Sequence, residues 1–149
     1  MKKYLSLLIA LAVVMLVLAR PGHSQSNGRT VKVKLHYTGN GTVDDKHKIF
    51  VVLFDSPDFS HGNGAMPLSV QSATGKNETV TFSDVSTSPV YGAASYDPTG
   101  NYDGQSGPPP SGASLGMYTK TPPKPEPIQV EPGKTVQVEI TFNDTQKMP

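Results

Sequence analysis

Cysteine and tryptophan are both absent from this chain of 149 residues. Without cysteine the fold has neither a disulfide nor a thiolate metal ligand, and no lipid can be joined to a leader cysteine. Small extracellular domains often depend on disulfides. This fold must therefore be held by packing and hydrogen bonds alone. The lack of tryptophan also removes one of the large aromatic residues that favour binding surfaces.

Basic clusters and helical periodicity are missing as well. Lysines and arginines are scattered along the chain, and no run of them could follow a phosphate backbone, so no nucleic-acid partner is expected. Beyond residue 24 no segment keeps an apolar repeat of helical period over ten positions, because proline and glycine recur too often. The chain is therefore expected to be all-β.

Residues 1–24 have the layout of a signal peptide with a helical apolar segment. Two lysines precede an apolar run of 15 residues, Leu5 to Ala19, and small residues suit a cut before Gln25. A spanning helix usually needs about 18 residues, so cleavage is favoured over an uncleaved anchor. The released chain carries ten basic and twelve acidic residues. We expect an exported protein, periplasmic or extracellular, without a membrane span after cleavage.

Alternation with a period of two predicts half-buried strands at both ends of the mature chain. The apolar set of the first strand is Val31, Val33, Leu35 and Tyr37, and that of the last is Val136, Val138, Ile140 and Phe142. The segment "IFVVLF" from Ile49 is apolar on both faces, which predicts a central strand covered on both sides. The turn "EPGKT" before the last strand predicts a hairpin that joins Ile128–Val130 to Thr135–Phe142.

About seven short, mainly antiparallel strands separated by polar turns predict a single β-sandwich over residues 30–143. Residues 25–29 are expected to be a flexible N-terminus and residues 144–149 a tail. Two loops exceed ordinary turns, which suggests functional segments. They are Asp55–Gly64 and the proline- and glycine-rich segment 97–127.

Four segments carry a family resemblance: "VKVKLHYTG", "IFVVLFD", "TVTFSDVSTSPVYGAASYD" and "GKTVQVEITF". In this order they resemble the transthyretin-like, or prealbumin-like, sandwich, which is also that of carboxypeptidase regulatory-like domains and of small exported bacterial proteins of uncharacterised function. The resemblance implies the fold and no chemistry of its own. Hydroxyisourate hydrolases of this fold end in Tyr-Arg-Gly-Ser, whereas this chain ends in "NDTQKMP".

The stretch "YDPTGNYDGQSGPPPSG" from Tyr96 raises the question of a calcium site. Asp97, Asn101 and Asp103 offer oxygens to a hard cation, but the spacing does not fit an EF-hand. The competing interpretation is that both aspartates cap tight turns while Gly100 and Gly104 adopt positive φ. That interpretation is favoured, and calcium is kept as the alternative.

Tyrosines near the proline-rich segment are the candidate ligand-binding residues, because an aromatic surface beside proline suits a peptide or a sugar. They are Tyr91, Tyr96, Tyr102 and Tyr118. The alternative is that they pack the long loop onto the sandwich.

No catalytic motif is found. A third hypothesis is a hydrolase with a non-standard site, in which His36 or His61 would meet Asp55 or Asp58. His36 and His47 could also approach each other across a first hairpin turn, although their spacing fits no known metal motif. The sequence favours a non-catalytic module with a binding or structural role in the cell envelope or outside the cell, and a protein, peptide or carbohydrate as its partner.

Overall fold

A computed structural model describes residues 27–61 and 65–149. Seven strands follow one another along these residues: β1 (Arg29–Tyr37), β2 (Ile49–Phe54), β3 (Pro67–Ala73), β4 (Thr79–Val85), β5 (Tyr91–Tyr96), β6 (Ser114–Met117) and β7 (Thr135–Phe142). A five-residue 3-10 helix, Pro57–His61, follows β2. The predicted all-β sandwich is confirmed, and the predicted signal helix lies outside the described residues.

The strands form two sheets, with the orders β4-β1-β7 and β3-β2-β5-β6. All pairs are antiparallel except β1 and β7, which run parallel from Thr30 beside Thr135 to Tyr37 beside Phe142. Arg29, which the sequence placed in a flexible N-terminus, already belongs to β1 and donates from Nε to the Val130 carbonyl at 3.1 Å.

The core lies between the two sheets, where the alternation of each strand sends its apolar side chains. The predicted inward residues of β1 are all buried, and so are Val138, Ile140 and Phe142 of β7. Val136 is partly buried and packs against the same cluster. β2 lies between β3 and β5, so its prediction as a central strand is confirmed. Its outer face is covered only in part, because Val52 and Phe54 are half-buried.

The predicted hairpin before β7 is wrong, although its turn forms. Lys134 N–H donates to the Glu131 carbonyl at 3.1 Å across Pro132 and Gly133, and Gly133 has a φ of 71°. This is the geometry that Pro-Gly favours. Ile128, however, pairs with Val90 and not with β7. The turn therefore connects a segment that pairs beside β5, in the four-stranded sheet, to β7, in the three-stranded sheet.

The connection between β1 and β2 is also not a hairpin, because the two strands belong to different sheets. Thr38 N–H bonds to the Phe142 carbonyl at 2.9 Å, and the chain then crosses over the end of the sandwich. Among residues 27–61 and 65–149, no helix combines the length and the apolar character that a membrane crossing requires.

Gly116 of β6 lets the two sheets approach each other. A Cβ built on Gly116 would lie 2.5 Å from Cβ of Phe142 on β7. We expect Gly116→Ala to lower the free energy of unfolding by about 1–3 kcal/mol, because overpacking forces neighbours to shift. Urea unfolding measures this. Gly75→Ala is the matched control, since its nearest neighbour is a carboxylate oxygen at 3.6 Å. Equal effects at the two positions would contradict the packing argument.

Candidate functional site

The segment predicted as one long loop, 97–127, contains strand β6 and is tied down on both sides of it. Leu115 N–H bonds to the Gln146 carbonyl at 2.8 Å, and Met148 N–H bonds to the Ala113 carbonyl at 2.8 Å. Farther along, Tyr118 N–H bonds to the Gly92 carbonyl at 2.9 Å. What remains as loop is Asp97–Ala113, followed by a proline-rich excursion over 118–127.

Asp97 organises the first part of this loop from beneath. Its side chain is 1% exposed. One carboxylate oxygen accepts the Thr99 N–H at 2.8 Å and the Thr99 hydroxyl at 2.7 Å, and the other accepts the Tyr102 N–H at 2.9 Å. Burial raises the pKa of Asp97, but these hydrogen bonds outweigh burial and hold the pKa below its ordinary value. The carboxylate is therefore charged at neutral pH and closes the turn.

Asp103 builds the second turn in the same way. Its carboxylate accepts the Gln105 N–H at 2.8 Å, the Ser106 N–H at 2.7 Å and the Ser106 hydroxyl at 2.5 Å. The bond from the Ser106 hydroxyl is the largest cause that lowers the Asp103 pKa to about 2. Gly100 and Gly104 have φ values of 70° and 78°. Both aspartates therefore cap tight turns, and both glycines adopt positive φ, as one of the two interpretations of this stretch predicted.

The loop is fastened to the outer face of the four-stranded sheet by an aromatic contact. The ring of Tyr102 meets that of Phe50 edge-on, with centroids 5.1 Å apart, and its hydroxyl donates to the Gly107 carbonyl at 2.9 Å. Gly104 is buried, and a Cβ built on it would lie 2.5 Å from the Phe50 ring. Only glycine suits this position, since the φ is positive and the ring lies close.

An open pocket of about 320 Å³ lies on this ordered loop. Its lining residues are Thr99, Asn101, Tyr102, Asp103, Ser106, Pro108 and Pro110. The lining combines an aromatic ring, two prolines, an amide, two hydroxyls and one carboxylate, and it includes no basic residue. Pockets for small ligands usually have mainly apolar walls, whereas four of these seven residues are polar, which suits a hydrophilic ligand. The chemistry suits a neutral or cationic group better than an anionic one.

The three residues predicted for calcium do not share this pocket equally. Asn101 and Asp103 line it, whereas Asp97 lies under the loop. Both oxygens of each aspartate already accept hydrogen bonds from the chain. Within the described ranges, no group of three or more histidine, aspartate or glutamate side chains is arranged to hold a metal ion. Calcium binding by this loop stays a prediction that a titration decides.

The four predicted tyrosines occupy different places. Tyr102 lines the pocket. Tyr96 is 6% exposed, stacks on Tyr37 at a centroid distance of 5.0 Å and donates to the Thr42 carbonyl at 3.0 Å. Tyr118 packs against the core, and Tyr91 is half-buried opposite Phe54. The structure therefore does not assemble the four rings into one platform.

The histidines and acids of the hydrolase hypothesis lie apart where they are described. His36 faces solvent on β1 and bonds to Asn77 at 2.5 Å, whereas Asp55, after β2 in the other sheet, accepts the Met66 N–H at 3.2 Å. Asp58 bonds to Ser56, and the side chain of His61 lies outside the described part of the structure. His47 bonds to Asp44 and not to His36.

A polar cluster at the end of the sandwich, with a partly exposed aspartate at its centre, was not predicted from the sequence. We call Tyr37, Ser114 and Asp144 the C-terminal latch. Asp144 accepts the Tyr37 hydroxyl at 2.5 Å, the Ser114 hydroxyl at 2.7 Å and the Asn40 N–H at 2.8 Å. Tyr37 and Ser114 are 2% and 1% exposed. In the sequence, the one indication of this cluster was Tyr37, the aromatic residue that ends the alternating pattern of β1.

The latch shifts the pKa of two of its members. The bond from the Tyr37 hydroxyl, followed by that from Ser114, lowers the pKa of Asp144 to about 2. Burial, followed by the bond to Asp144, raises the pKa of Tyr37 to about 12. Both groups are held in the protonation states that make the hydrogen bonds. Every side-chain nitrogen or oxygen that is buried within the described residues has a partner, and Asp144 is the acceptor for the hydroxyls of Tyr37 and Ser114.

Comparison of the chain with protein-family models, with curated proteins and with solved structures gave no match.

Proposed function

We propose that this chain is an exported, non-catalytic, transthyretin-like β-sandwich that binds a peptide or a carbohydrate of the cell envelope or the extracellular space at its Asp97–Ala113 loop. The observation that carries the proposal is the pocket of about 320 Å³ on that loop. A loop without function need not be held in one shape, whereas this one is fixed by two carboxylates and an aromatic contact. Fixing the loop before binding reduces the entropy lost when a ligand is ordered there.

The order of strands and the leader support the export and family parts of the proposal. The two-sheet arrangement is compatible with the transthyretin-like sandwich that the sequence resembles. The 15-residue apolar run after two lysines supports export. The hydrolase alternative gains no support from the described acids, because His36 lies away from Asp55 on a different sheet.

The binding proposal is tested by NMR titration of the purified protein with three separate probes. They are the methyl glycoside of N-acetylglucosamine, the peptide trilysine and calcium chloride. We expect one of the two organic probes to shift the amide signals of Asn101, Tyr102 and Ser106 saturably, because these residues line the pocket. Asp103→Asn should weaken binding at least about tenfold, which corresponds to the loss of about 1.4 kcal/mol of binding energy.

Asp58→Asn is the matched control, since Asp58 is also exposed and lies outside the pocket. Saturable shifts that survive Asp103→Asn would place binding elsewhere. Shifts with calcium alone, lost in Asp103→Asn, would favour the calcium-binding module. No saturable shift with any probe would count against a binding role of this pocket.

A further inference from the structure

The free edge of β3 differs from the three other sheet edges. The edge of β6 is covered by the C-terminal tail, through the bonds of Leu115 and Ala113 to Gln146 and Met148. β4 is interrupted by Asp84, whose φ of 54° coincides with a shift in its register against β1. β7 carries Glu139, which forms an ion pair with Lys34 at 3.5 Å. Each of these features discourages pairing with another strand.

Nothing in the described ranges 27–61 and 65–149 gives β3 such protection along most of its length. The segment Met66–Ala73 has no charged residue. Pro67 and a shift in register near Leu53 alter only its first residues. Two large hydrophobic side chains are exposed within the described ranges, Met66 at 64% and Leu68 at 37%. Leu68 belongs to β3, and Met66 directly precedes this strand. An uncharged edge with exposed apolar side chains is a template for strand pairing.

The chemistry of a sheet edge selects the kind of partner. An edge strand presents a row of N–H and C=O groups, and only another extended strand can bond to the row repeatedly. The outer face beside this edge is apolar and only half-buried at Val52, Phe54 and Val70. An added strand would therefore gain main-chain hydrogen bonds together with apolar contacts on the outer face.

We propose that β3 pairs with β3 of a second copy of this chain over Ser69–Ala73, antiparallel about a two-fold axis at Gln71. Val70 and Ser72 lie opposite Val52 and Phe50, whereas Ser69 and Gln71 lie opposite core-facing Leu53 and Val51. A two-fold axis normal to the sheet keeps each set on its own face. The apolar outer face then continues into the second copy, and no like charges meet in any register.

A second copy fits this edge better than a foreign strand does. A foreign strand is usually selected by a charge or by a side-chain pocket at alternate positions. β3 offers neither a charged residue nor a pocket among its described residues. A strand that pairs with β3 must not place an unpaired charge at the interface. A second copy of β3 meets this requirement, because β3 has no charged residue.

Sedimentation equilibrium of the purified protein over a range of concentrations tests the proposal. We expect a reversible dimer whose dissociation constant rises at least about tenfold in the double variant Gln71→Lys, Ser72→Lys, because like charges then meet across the axis. Hydrogen exchange at the amides of Ser69–Ala73 should slow as the protein concentration rises. Both substituted residues are exposed, so the variant is expected to fold.

Gln137→Lys is the matched control, since Gln137 is exposed on the free strand β7, and it should leave the dimer unchanged. A monomer at every concentration up to about 1 mM would overturn the proposal. A dimer that survives the double variant, or that leaves exchange at β3 unchanged, would also overturn it, because association would then use another surface. These outcomes are distinct from those of the pocket titration, because none of the substituted residues lines the pocket.

Discussion

Replacement of Asp97 by alanine is expected to lower the free energy of unfolding by about 3 kcal/mol and to loosen the whole Asp97–Ala113 loop. The carboxylate is 1% exposed and accepts bonds from Thr99 and from the Tyr102 amide. Removing it takes three hydrogen bonds to a charged acceptor away from Thr99 and from the partly buried Tyr102 amide, and bonds of this kind contribute more than neutral ones. Thermal unfolding measures the loss as a fall of several degrees in the midpoint.

Two further variants sharpen the test of Asp97. Asp97→Asn keeps the shape and one acceptor oxygen, so its loss should be intermediate. Asp45→Ala is the matched control, because Asp45 is exposed on another loop. Amide exchange at Tyr102 should quicken strongly in Asp97→Ala and remain slow in Asp45→Ala. If the two alanine variants lost equal stability, the loop would not depend on the buried carboxylate.

Asp144→Ala is expected to lower the free energy of unfolding by about 2–4 kcal/mol, because it leaves the hydroxyls of Tyr37 and Ser114 buried without their acceptor. The double variant Tyr37→Phe, Asp144→Ala should regain part of this loss, since it also removes one of the stranded donors. Urea unfolding of the single and double variants measures the coupling. Additive losses would show that the latch residues act independently.

The latch also makes stability depend on pH. The folded-state pKa of Asp144 is lowered from 3.8 to about 2, so its contribution is present above about pH 4 and is lost as the pH falls toward 2. We expect the stability of the native protein to decline over this window, and the decline to be shallower in Asp144→Asn. The midpoint of urea unfolding at pH 2, 3, 4 and 6 provides the comparison. Identical pH profiles for the two proteins would exclude a contribution from Asp144.

The alternation of β1 and β7 predicted their inward residues because a buried face and a wet face impose a period of two. The apolar run of β2 likewise predicted its central place. Partners were harder to predict, because a turn such as Glu131–Lys134 fixes the local direction of the chain and not the sheet that the next strand enters. Ile128 consequently pairs with Val90 and not with β7.

In the candidate site too, features set by neighbouring residues could be predicted, whereas contacts between residues far apart in the sequence could not. The turns of Asp97 and Asp103 could be predicted, because an aspartate caps amides two or three residues ahead of it. The pocket could not be placed, since it depends on how Tyr102 settles on Phe50, a residue about fifty positions earlier. The latch joins Tyr37, Ser114 and Asp144 across more than a hundred positions. No local pattern reports such a contact.

Because β1 pairs with β7, the three-stranded sheet cannot be completed before the C-terminal end of the chain is present. Thr30 lies beside Thr135, so the middle strand of the three-stranded sheet lacks one neighbour until almost the entire polypeptide is present. Contacts between such distant residues carry a large loop-closure cost and slow the folding of β-proteins. During synthesis, which starts at the N-terminus, β1 therefore keeps one unpaired edge until β7 has been made. Such a delay is compatible with the export proposed above.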